Sequence, residues 1–515
     1  MANNFWTLLF TVLVLSSYVE CGEKACLNDR YRPQFHFSQA ANWINDPNGM
    51  VYYKGEYHLF YQYHPYSTVW GPMHWGHAVS SDLVHWEELP IALYPDELGQ
   101  IFSGSAVVDS RNTSGLQQSV DEDVIVAIFT HEGGSQVQSL AYSNDRGRNF
   151  QKFVRNPVLP NPPGVIDFRD PKVIDINGKW VMALAVGNKI SFYGCEDLIS
   201  WSPMSEFGAD PPQGGHGGVW ECPDLFPLEF DGQTVWVLLV SINPGGPNLG
   251  SVTQYFLGDF DGLTFRSFYP GEEPVLWMDW GPDNYAGVTF SNEPNNKRIL
   301  MGWMQNWIYS ADIPTAAWRG QMTIPRELVI KMVEGRLRLA SVPVPEMSLL
   351  RNPDEIYSPP NIGVISSGSI LVLTSGMPFT NHLLELDLTL QFDGFAAFGV
   401  CFYNGVAQEL CFGYEHANSQ FFLDRSRSGN VNFHPDFSRR AIAARESRSR
   451  TITFKVFLDD SSIEIFADGG TTVMTALFYP DQPFTVAHIH HYEGESVLEI
   501  QSATLRGLHS IHDCN

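Results

Sequence analysis

VYYKGEYHLFYQY, residues 51–63, is the stretch that decides the fold class of this 515-residue chain. It is rich in β-branched and aromatic residues, which favour strands over helices. Helix-period patterns are scarce elsewhere, whereas similar runs recur between Gly, Pro, Asn or Asp residues. Four of them are DVIVAIFT at 123–130, KWVMALAVG at 179–187, TVWVLLVSI at 234–242 and RILMGWM at 298–304. The sequence therefore predicts an all-β protein.

The connections between these runs predict how the strands are arranged. Up to about residue 335 they are long and rich in Pro and Gly, as in NPVLPNPPGV at 156–165 and GADPPQGGHGG at 208–218. Short strands separated at regular intervals by such connections are typical of a propeller rather than of a single sandwich. We therefore expect an N-terminal propeller of about five blades over residues 22–335. Long loops on a rigid scaffold usually carry function, so this is the expected catalytic domain.

A second domain is predicted after the propeller. The stretch SVPVPEMSLLRNPDEIYSPPNIG has the composition of a linker. Beyond it, the four leucines from Leu384 to Leu390 alternate with polar residues, as expected of a half-buried strand. Short strands continue to about residue 510. We expect a linker over residues 336–365 and a C-terminal β-sandwich over residues 366–515.

Composition narrows the classes of ligand. The chain has 31 Lys and Arg against 57 Asp and Glu, a net charge of −26, which repels phosphate backbones and anionic membrane surfaces. We therefore expect neither a nucleic acid nor a membrane as a partner. The 14 tryptophans and 20 tyrosines offer flat amphipathic faces, although most aromatics fill cores. Such faces suit an uncharged ligand that is hydroxylated at its edges, and sugars are of that kind.

The first residues predict export. FWTLLFTVLVL, residues 5–15, is too short to span a bilayer and is followed by a polar stretch. VEC precedes Gly22 with small residues at the cleavage positions. We expect a signal peptide over residues 1–21 and a secreted, extracellular mature protein. In that compartment Asn112, in NTS, is a glycosylation acceptor.

Cleavage at that point leaves six cysteines, an even number that is compatible with disulfides. Cys401 and Cys411 flank the turn signal YNG and are candidates to pair across a hairpin. Cys26 and Cys514 are candidates to tie the two ends of the chain together. Reduced, buried cysteines are an equally open interpretation.

Three acidic residues stand out as candidates for catalysis. They are Asp46 in WINDPNG, Asp170 in DFRDPKV and Glu221 in VWECPDLF. Each lies among aromatic or turn residues rather than in a solvated run of charges. Taken singly, they read as a structural turn, a local ion pair with Arg169 and a buried hydrogen-bonded carboxylate. Taken together, they can supply the two acids that flank a glycosidic bond during its cleavage.

The order of the motifs adds a resemblance. WINDPNG, FYQYHP, WGHAVSSDLVHW, FSGSAVVD, FRDPKV, WECPDLF, MDWGPDNYA, GWMQNW, RGQMTIPREL and IEIFADGG follow one another along the chain. This set resembles the β-fructofuranosidases (invertases) of glycoside hydrolase family 32 over nearly the whole mature length. The resemblance implies a five-bladed β-propeller followed by a β-sandwich.

The resemblance also implies a mechanism. Asp46 would be the nucleophile, Glu221 the general acid/base and Asp170 the stabiliser of the transition state. The reaction would be a retaining double displacement that releases fructose from sucrose, and from raffinose as a further substrate. The alternatives within the family are a fructan hydrolase and a fructosyltransferase. A carbohydrate-binding homologue without activity is disfavoured because all three acids are present.

Binding residues are carried over in the same way. The fructose subsite is expected to include Trp43, Asn45, Gln62, Trp70, Phe102, Ser103, Arg169 and Trp303. No metal or other cofactor is implied, because HExxH, zinc-spaced Cys/His clusters, GxGxxG and P-loop motifs are missing from the sequence. The expected partner is a small sugar. The sequence does not indicate an oligomeric state.

Overall fold

The computed structural model describes residues 27, 29–209, 212–271, 274–360, 362–492 and 496–512. The predicted signal peptide and the candidate pair Cys26 and Cys514 lie outside these residues. Five small sheets are followed by two larger ones, so the all-β prediction of a propeller and a sandwich is confirmed. No helix in the described part of the chain is long and apolar enough to cross a bilayer.

Each small sheet is one blade of the propeller, and the first strands of the blades contact one another around the ring. Blade 1 contains Asn42–Tyr53, Glu56–His64, His74–Ser80, Glu87–Leu93 and the late strand Trp318–Arg319. Blade 2 contains Gln100–Asp109, Val124–Glu132, Gln136–Ser143 and Gln151–Lys152. Blade 3 contains Phe168–Ile176, Lys179–Val186, Lys189–Cys195 and Ser202–Phe207. Blade 4 contains Val219–Phe230, Gln233–Asn243, Val252–Phe260 and Phe265–Ser267, and blade 5 contains Tyr285–Thr289, Ile299–Trp303, Arg326–Val333 and Arg336–Pro343.

Blade 1 is built from both ends of the propeller. Trp318 and Arg319 pair in parallel with Asn42 and Trp43, at the start of the inner strand. Because these pairs join residues almost 280 positions apart, they close the ring with backbone hydrogen bonds.

Every inner strand carries a β-bulge near its start, where two residues lie opposite one. The five bulges are Asn45 and Asp46 opposite Gln62, Phe102 and Ser103 opposite Thr130, Asp170 and Pro171 opposite Leu184, Cys222 and Pro223 opposite Val240, and Ala286 and Gly287 opposite Gly302. Asp170, Cys222 and Ala286 have positive φ values of 64°, 45° and 54°. Bulges bend a strand and redirect its side chains, so all five strands change direction at the same end of the ring.

The sandwich consists of a seven-stranded and a six-stranded sheet. The first contains Arg351–Tyr357, Val364–Ile365, Leu384–Asp393, Thr451–Leu458, Ser462–Ala467, Thr472–Leu477 and Val497–Leu508. The second contains Ile370–Val372, Ala397–Tyr403, Glu409–Glu415, Gln420–Arg427, Ala441–Ala444 and Val486–His491. Short 3-10 helices span Pro345–Leu350, His416–Asn418 and Asp468–Gly470.

The strand with alternating leucines fits its prediction with one exception. Its leucines face the core between the two sheets. Glu385 is also fully buried, because Arg351 and Lys455 hold its carboxylate at 2.6 and 2.8 Å. A polar position in the strand pattern is thus buried with its charge paired to two partly exposed cations.

The predicted linker over residues 336–365 was too long. Arg336–Pro343 is the outer strand of blade 5, and Arg351–Tyr357 pairs with the last strand of the sandwich. Only residues 344–350 connect the two domains. Pro353 gave the second segment a linker-like composition, but proline is accommodated in a strand at the edge of a sheet and beside an irregular register.

The structure shows the state of four of the cysteines. Cys401 and Cys411 face each other on paired strands and form a disulfide, so this candidate pair is confirmed. Cys195 and Cys222 are free and buried.

A buried polar network joins the two domains. His36, just before blade 1, contacts Asp459 Oδ2 through Nδ1 at 2.6 Å and Glu464 Oε1 through Nε2 at 2.8 Å. Glu464 also accepts a hydrogen bond of 2.9 Å from Arg326 Nε in blade 5. Arg326 Nη1 in turn donates to Asp279 Oδ2 at 2.9 Å. Burial lowers the pKa of His36, but its bonds to the two sandwich carboxylates outweigh that effect and raise it to about 9.

We expect His36→Gln to change how stability depends on pH. The folded pKa of His36 lies above its unfolded value, so its contribution is complete below pH 6.5 and is lost as the pH rises through 9. Relative to the variant, the wild type should lose about 3 kcal/mol of unfolding free energy over this window. Thermal unfolding at pH 6 and pH 9.5 measures the difference. The exposed His509→Gln should follow the wild type, and parallel curves for His36→Gln and wild type would contradict the prediction.

Candidate active site

A cleft of about 530 Å³ opens at the end of the propeller axis where the five bulges lie. Blades 1 to 4 and the segment after the second strand of blade 5 contribute its walls. The lining residues are Asn45, Asp46, Gln62, Trp70, Gln100, Phe102, Ser103, Glu132, Gln136, Asp167, Arg169, Asp170, Glu221 and Trp307.

The three acids singled out in the sequence come together in this cleft. Cys222 shows how close they are, because its Sγ lies 3.6 Å from Asp46 Oδ2 and 3.5 Å from Asp170 Oδ2. Its backbone N–H also donates to Asp170 Oδ2 at 2.9 Å. Glu221 immediately precedes Cys222 and faces the same cavity. Residues far apart in sequence thus form one acidic cluster.

Asp46 is surrounded by neutral hydrogen-bond donors. Asn45 Nδ2 donates to its Oδ1 at 3.0 Å, and Ser103 Oγ donates to its Oδ2 at 2.8 Å. Trp43 Nε1 donates to Asn45 Oδ1 at 2.8 Å and so fixes the orientation of that amide. These bonds fix the orientation of the Asp46 carboxylate at the cleft surface.

Glu221 is placed between a cation and a phenol. Its Oε1 accepts hydrogen bonds from Arg169 Nε at 3.2 Å and Nη2 at 3.1 Å, and its Oε2 accepts one from the Tyr285 hydroxyl. Burial raises the pKa of Glu221, with a further contribution from the charge of Asp46. Arg169 and Tyr285 oppose this effect without cancelling it. The group is therefore suited to hold a proton and release it.

Asp170 is the most deeply placed of the three acids, with 5% of its surface exposed. Burial raises its pKa to about 7; Arg169 lowers it, and the charges of Glu221 and Asp46 raise it again. Three neighbouring carboxylates do not all ionise freely, because like charges repel strongly at short range.

Comparison with known proteins assigns the family. The model described as Glycosyl hydrolases family 32 N-terminal domain matches residues 36–341, and the one described as Glycosyl hydrolases family 32 C terminal matches residues 355–506. The chain belongs to glycoside hydrolase family 32. The resemblance inferred from the motifs is thereby confirmed.

Several known proteins are similar to the chain over most of its length. A levanase of Bacillus subtilis (strain 168) is 45% identical over 98% of this chain and 74% of its own. An extracellular exo-inulinase of Aspergillus awamori is 38% identical, covering 87% and 90%, and an invertase of Schizosaccharomyces pombe is 33% identical, covering 97% and 89%.

Solved structures agree with this assignment. The crystal structure of the exo-inulinase from Aspergillus awamori superimposes with a TM-score of 0.86 at 35% identity, covering 94% of this chain and 99% of that one. A β-fructofuranosidase from Schwanniomyces occidentalis, complexed with fructosyl-erythritol, gives a TM-score of 0.83 at 30% identity over the same shares.

Six of the eight predicted binding residues line the family 32 cleft. They are Asn45, Gln62, Trp70, Phe102, Ser103 and Arg169. Trp70 is 45% exposed and lies edge-on to Phe102, with ring centroids 6.1 Å apart. It therefore offers an apolar face at the cleft mouth.

Trp43 and Trp303 do not line the cleft and are only 1% and 0% exposed. Both pack behind Trp307, with ring centroids 5.9 and 4.8 Å from it, and Trp307 is the residue that reaches the cavity. Trp303 ends a buried strand, whereas Trp307 lies in the loop that follows. Within GWMQNW the structure therefore places Trp307, and not Trp303, at the cleft.

Other residues of the site were missed in the sequence. Tyr285 and Trp307 stand in the motifs MDWGPDNYA and GWMQNW, which already carried a signal. The remaining cleft residues are Gln100, Glu132, Gln136 and Asp167. Asp167 and Gln136 accept hydrogen bonds from Arg169 Nη1 at 2.5 and 3.3 Å, so they orient the guanidinium that faces Glu221.

Proposed function

We propose that the protein is a retaining β-fructofuranosidase that releases the terminal non-reducing β-D-fructofuranosyl unit of its substrate as fructose. One observation carries the proposal: Asp46, Asp170 and Glu221 line one cleft from the inner strands of blades 1, 3 and 4. Hydrogen-bond donors surround the first, and a raised pKa favours a proton on the last. A nucleophile needs a carboxylate held in a fixed orientation, and an acid/base needs a carboxyl group that can hold a proton.

With Asp46 as the nucleophile and Glu221 as the acid/base, the reaction has two steps. Asp46 attacks C2 of the fructosyl unit, the bond to the leaving oxygen breaks, and the proton of Glu221 passes to that oxygen. A water molecule then gives its proton to Glu221 and attacks C2, which frees fructose and the Asp46 carboxylate. Asp170 accepts hydrogen bonds from fructosyl hydroxyls, and these strengthen as positive charge develops on the ring.

Tyr285 is a positioning residue in this scheme, because its hydroxyl donates to Glu221 Oε2. That bond lowers the pKa of Glu221, so Tyr285→Phe should raise it and shift the alkaline limb of activity to higher pH. We also expect roughly a tenfold lower kcat, since the acid is less firmly oriented. The pH profile of kcat/KM measures both effects. Tyr193→Phe, a buried tyrosine of blade 3, is the control, and an unshifted profile for Tyr285→Phe would refute the role.

The substrate is expected to be a fructan as well as sucrose. The relatives named levanase and exo-inulinase are 45% and 38% identical to the chain, whereas the one named invertase is 33% identical. These identities favour the fructan hydrolase that the motifs left as an alternative. Sucrose as the main substrate, with raffinose beside it, stays a prediction.

Purified enzyme should be incubated with levan, inulin, sucrose and raffinose, with glucose and fructose quantified separately. We expect fructose as the first small product from levan and inulin, and equal glucose and fructose from sucrose. Glucose in excess of free fructose would indicate transfer to a sugar acceptor. No release from any of the four substrates would support the carbohydrate-binding alternative.

We further propose that the protein is secreted, because of the apolar run at residues 5–15 and because some relatives are named extracellular. Asn112 is exposed in a turn after the inner strand of blade 2, where an oligosaccharide would meet solvent. N-terminal sequencing of protein from culture medium tests the cleavage site. Mass spectrometry before and after glycosidase treatment tests Asn112.

A further inference from the structure

A second cavity, of about 470 Å³, lies at the opposite end of the propeller axis and is called here the axial cavity. The inner strands that reach the active cleft at their bulges reach this cavity further along. Blade 3 contributes Lys172 to Ile176, and blade 4 contributes Asp224, Leu225 and Pro227. Its volume falls within the range of small-molecule sites, about 300–1,000 Å³.

Within the described ranges, Asp224 on the inner wall of the axial cavity has one carboxylate oxygen with hydrogen-bond donors and one without. Asp224 Oδ2 accepts hydrogen bonds from Lys172 Nζ at 3.1 Å and from the backbone N and Oγ1 of Thr289 at 2.6 and 2.8 Å. Asp224 Oδ1, on a side chain that is 0% exposed, has no partner among the described residues. A buried carboxylate oxygen without a donor is costly, so Oδ1 indicates a missing hydrogen-bond donor.

The same cavity holds a donor that lacks an acceptor. Arg298 Nε is buried and has no hydrogen-bond partner in the described part of the chain. The guanidinium instead lies 5.6 Å from the ring centroid of Phe226. Burial lowers the pKa of both Arg298 and Lys172, as expected of cations that are poorly solvated.

The pairing of a free acceptor with a free donor restricts the ligand class. The charged residues that line the cavity balance, with Lys172 and Arg298 against Asp175 and Asp224, so a net charge on the ligand gains little. A hydroxyl group donates and accepts at once, so neighbouring hydroxyls satisfy both orphaned groups. The half-buried ring of Trp236 adds an apolar face, and the exposed Asn177 and Asn296 also line the cavity.

We infer that the axial cavity is a second, non-catalytic binding site for a neutral sugar, with Asp224 and Arg298 as its polar anchors and Trp236 as its apolar wall. The choice of a sugar rather than another polyol rests on the proposed function. Occupancy would bridge blades 4 and 5 at the end of the ring opposite the reaction.

Equilibrium dialysis with radiolabelled fructose tests the site, because fructose is not consumed. We expect the wild type to bind two fructose molecules per chain, one in each cavity. Arg298→Met, which keeps an unbranched stem but removes the guanidinium, should weaken the axial site by about tenfold and leave one. The exposed Arg266→Met removes the same charge far from both cavities and should keep two.

A third variant separates the two sites. Asp170→Ala should lose the fructose of the active cleft and keep the axial one, while the double variant with Arg298→Met should bind none. The fructose that remains in each single variant shows that the protein is folded. One fructose in the wild type, with no loss in Arg298→Met, would overturn the axial site.

Displacement of the axial fructose by inorganic phosphate would also overturn the inference, because it would identify an anion site. Failure of the proposed function is distinguishable from these outcomes. It would appear as missing fructose release from sucrose and fructans, whatever the number of bound sugars.

Discussion

Asp46→Asn is expected to lower kcat by on the order of 10⁴-fold or more, because the variant cannot form the covalent bond to C2 of fructose. The amide is similar in size to the carboxylate, and Asp46 is half-buried at a cleft surface. Stability should therefore change little. Initial rates with sucrose and levan, beside a thermal unfolding curve, measure both quantities.

Two comparisons sharpen the Asp46 prediction. Asp121→Asn removes a charge from an exposed position in blade 2 and should leave the rate unchanged. Asp46→Gly with azide should regain turnover of an aryl fructoside and yield the inverted fructosyl azide, because azide enters from the face that the carboxylate occupied. Wild-type turnover by Asp46→Asn would refute the nucleophile assignment.

Glu221→Gln should lower kcat on sucrose by on the order of 10³-fold, within the range of general acid–base catalysis. The amide cannot protonate the leaving oxygen, so the loss should shrink for an aryl fructoside whose leaving group needs no proton. The wild type requires protonated Glu221, and its activity should fall as the pH rises through the raised pKa of that group. This alkaline limb should be absent in the variant.

Glu229→Gln supplies the matched control, because Glu229 lies on the same strand as Glu221 but is exposed at its far end. Rates with sucrose and with an aryl fructoside should be measured from pH 4 to 9. Equal losses on both substrates would show that Glu221 does not act on the leaving group. Binding or positioning would then be its role.

Much of the site could be predicted because its acidic residues lie beside turn residues in the sequence. Pro follows Asp46 and Asp170, and these prolines mark the bulges that present the carboxylates. Glu132 and Gln136 have no neighbouring turn residue that indicates a site, because they lie in regular strands. They reach the cleft only because the ring of blades closes around it. Their role depends on long-range geometry that local sequence does not encode.

The structure differs from expectation at the linker and at Trp303, and the two differences have similar causes. The linker prediction rested on composition, which does not separate an irregular edge strand such as Arg351–Tyr357 from a true connection. The prediction for Trp303 rested on a motif that contains two tryptophans, and burial of a strand residue against a loop residue decided between them. In both cases a neighbouring element in space supplied the missing information.

The bulges have an evolutionary consequence. Residues that carry the chemistry stand within a bulge or directly before it, where the pairing of the strands is already interrupted. An exchange of side chains there leaves the cross-strand pairing of the blade intact. Side chains at the five bulges can therefore change without rebuilding the blades, which separates the demands of substrate recognition from those of folding.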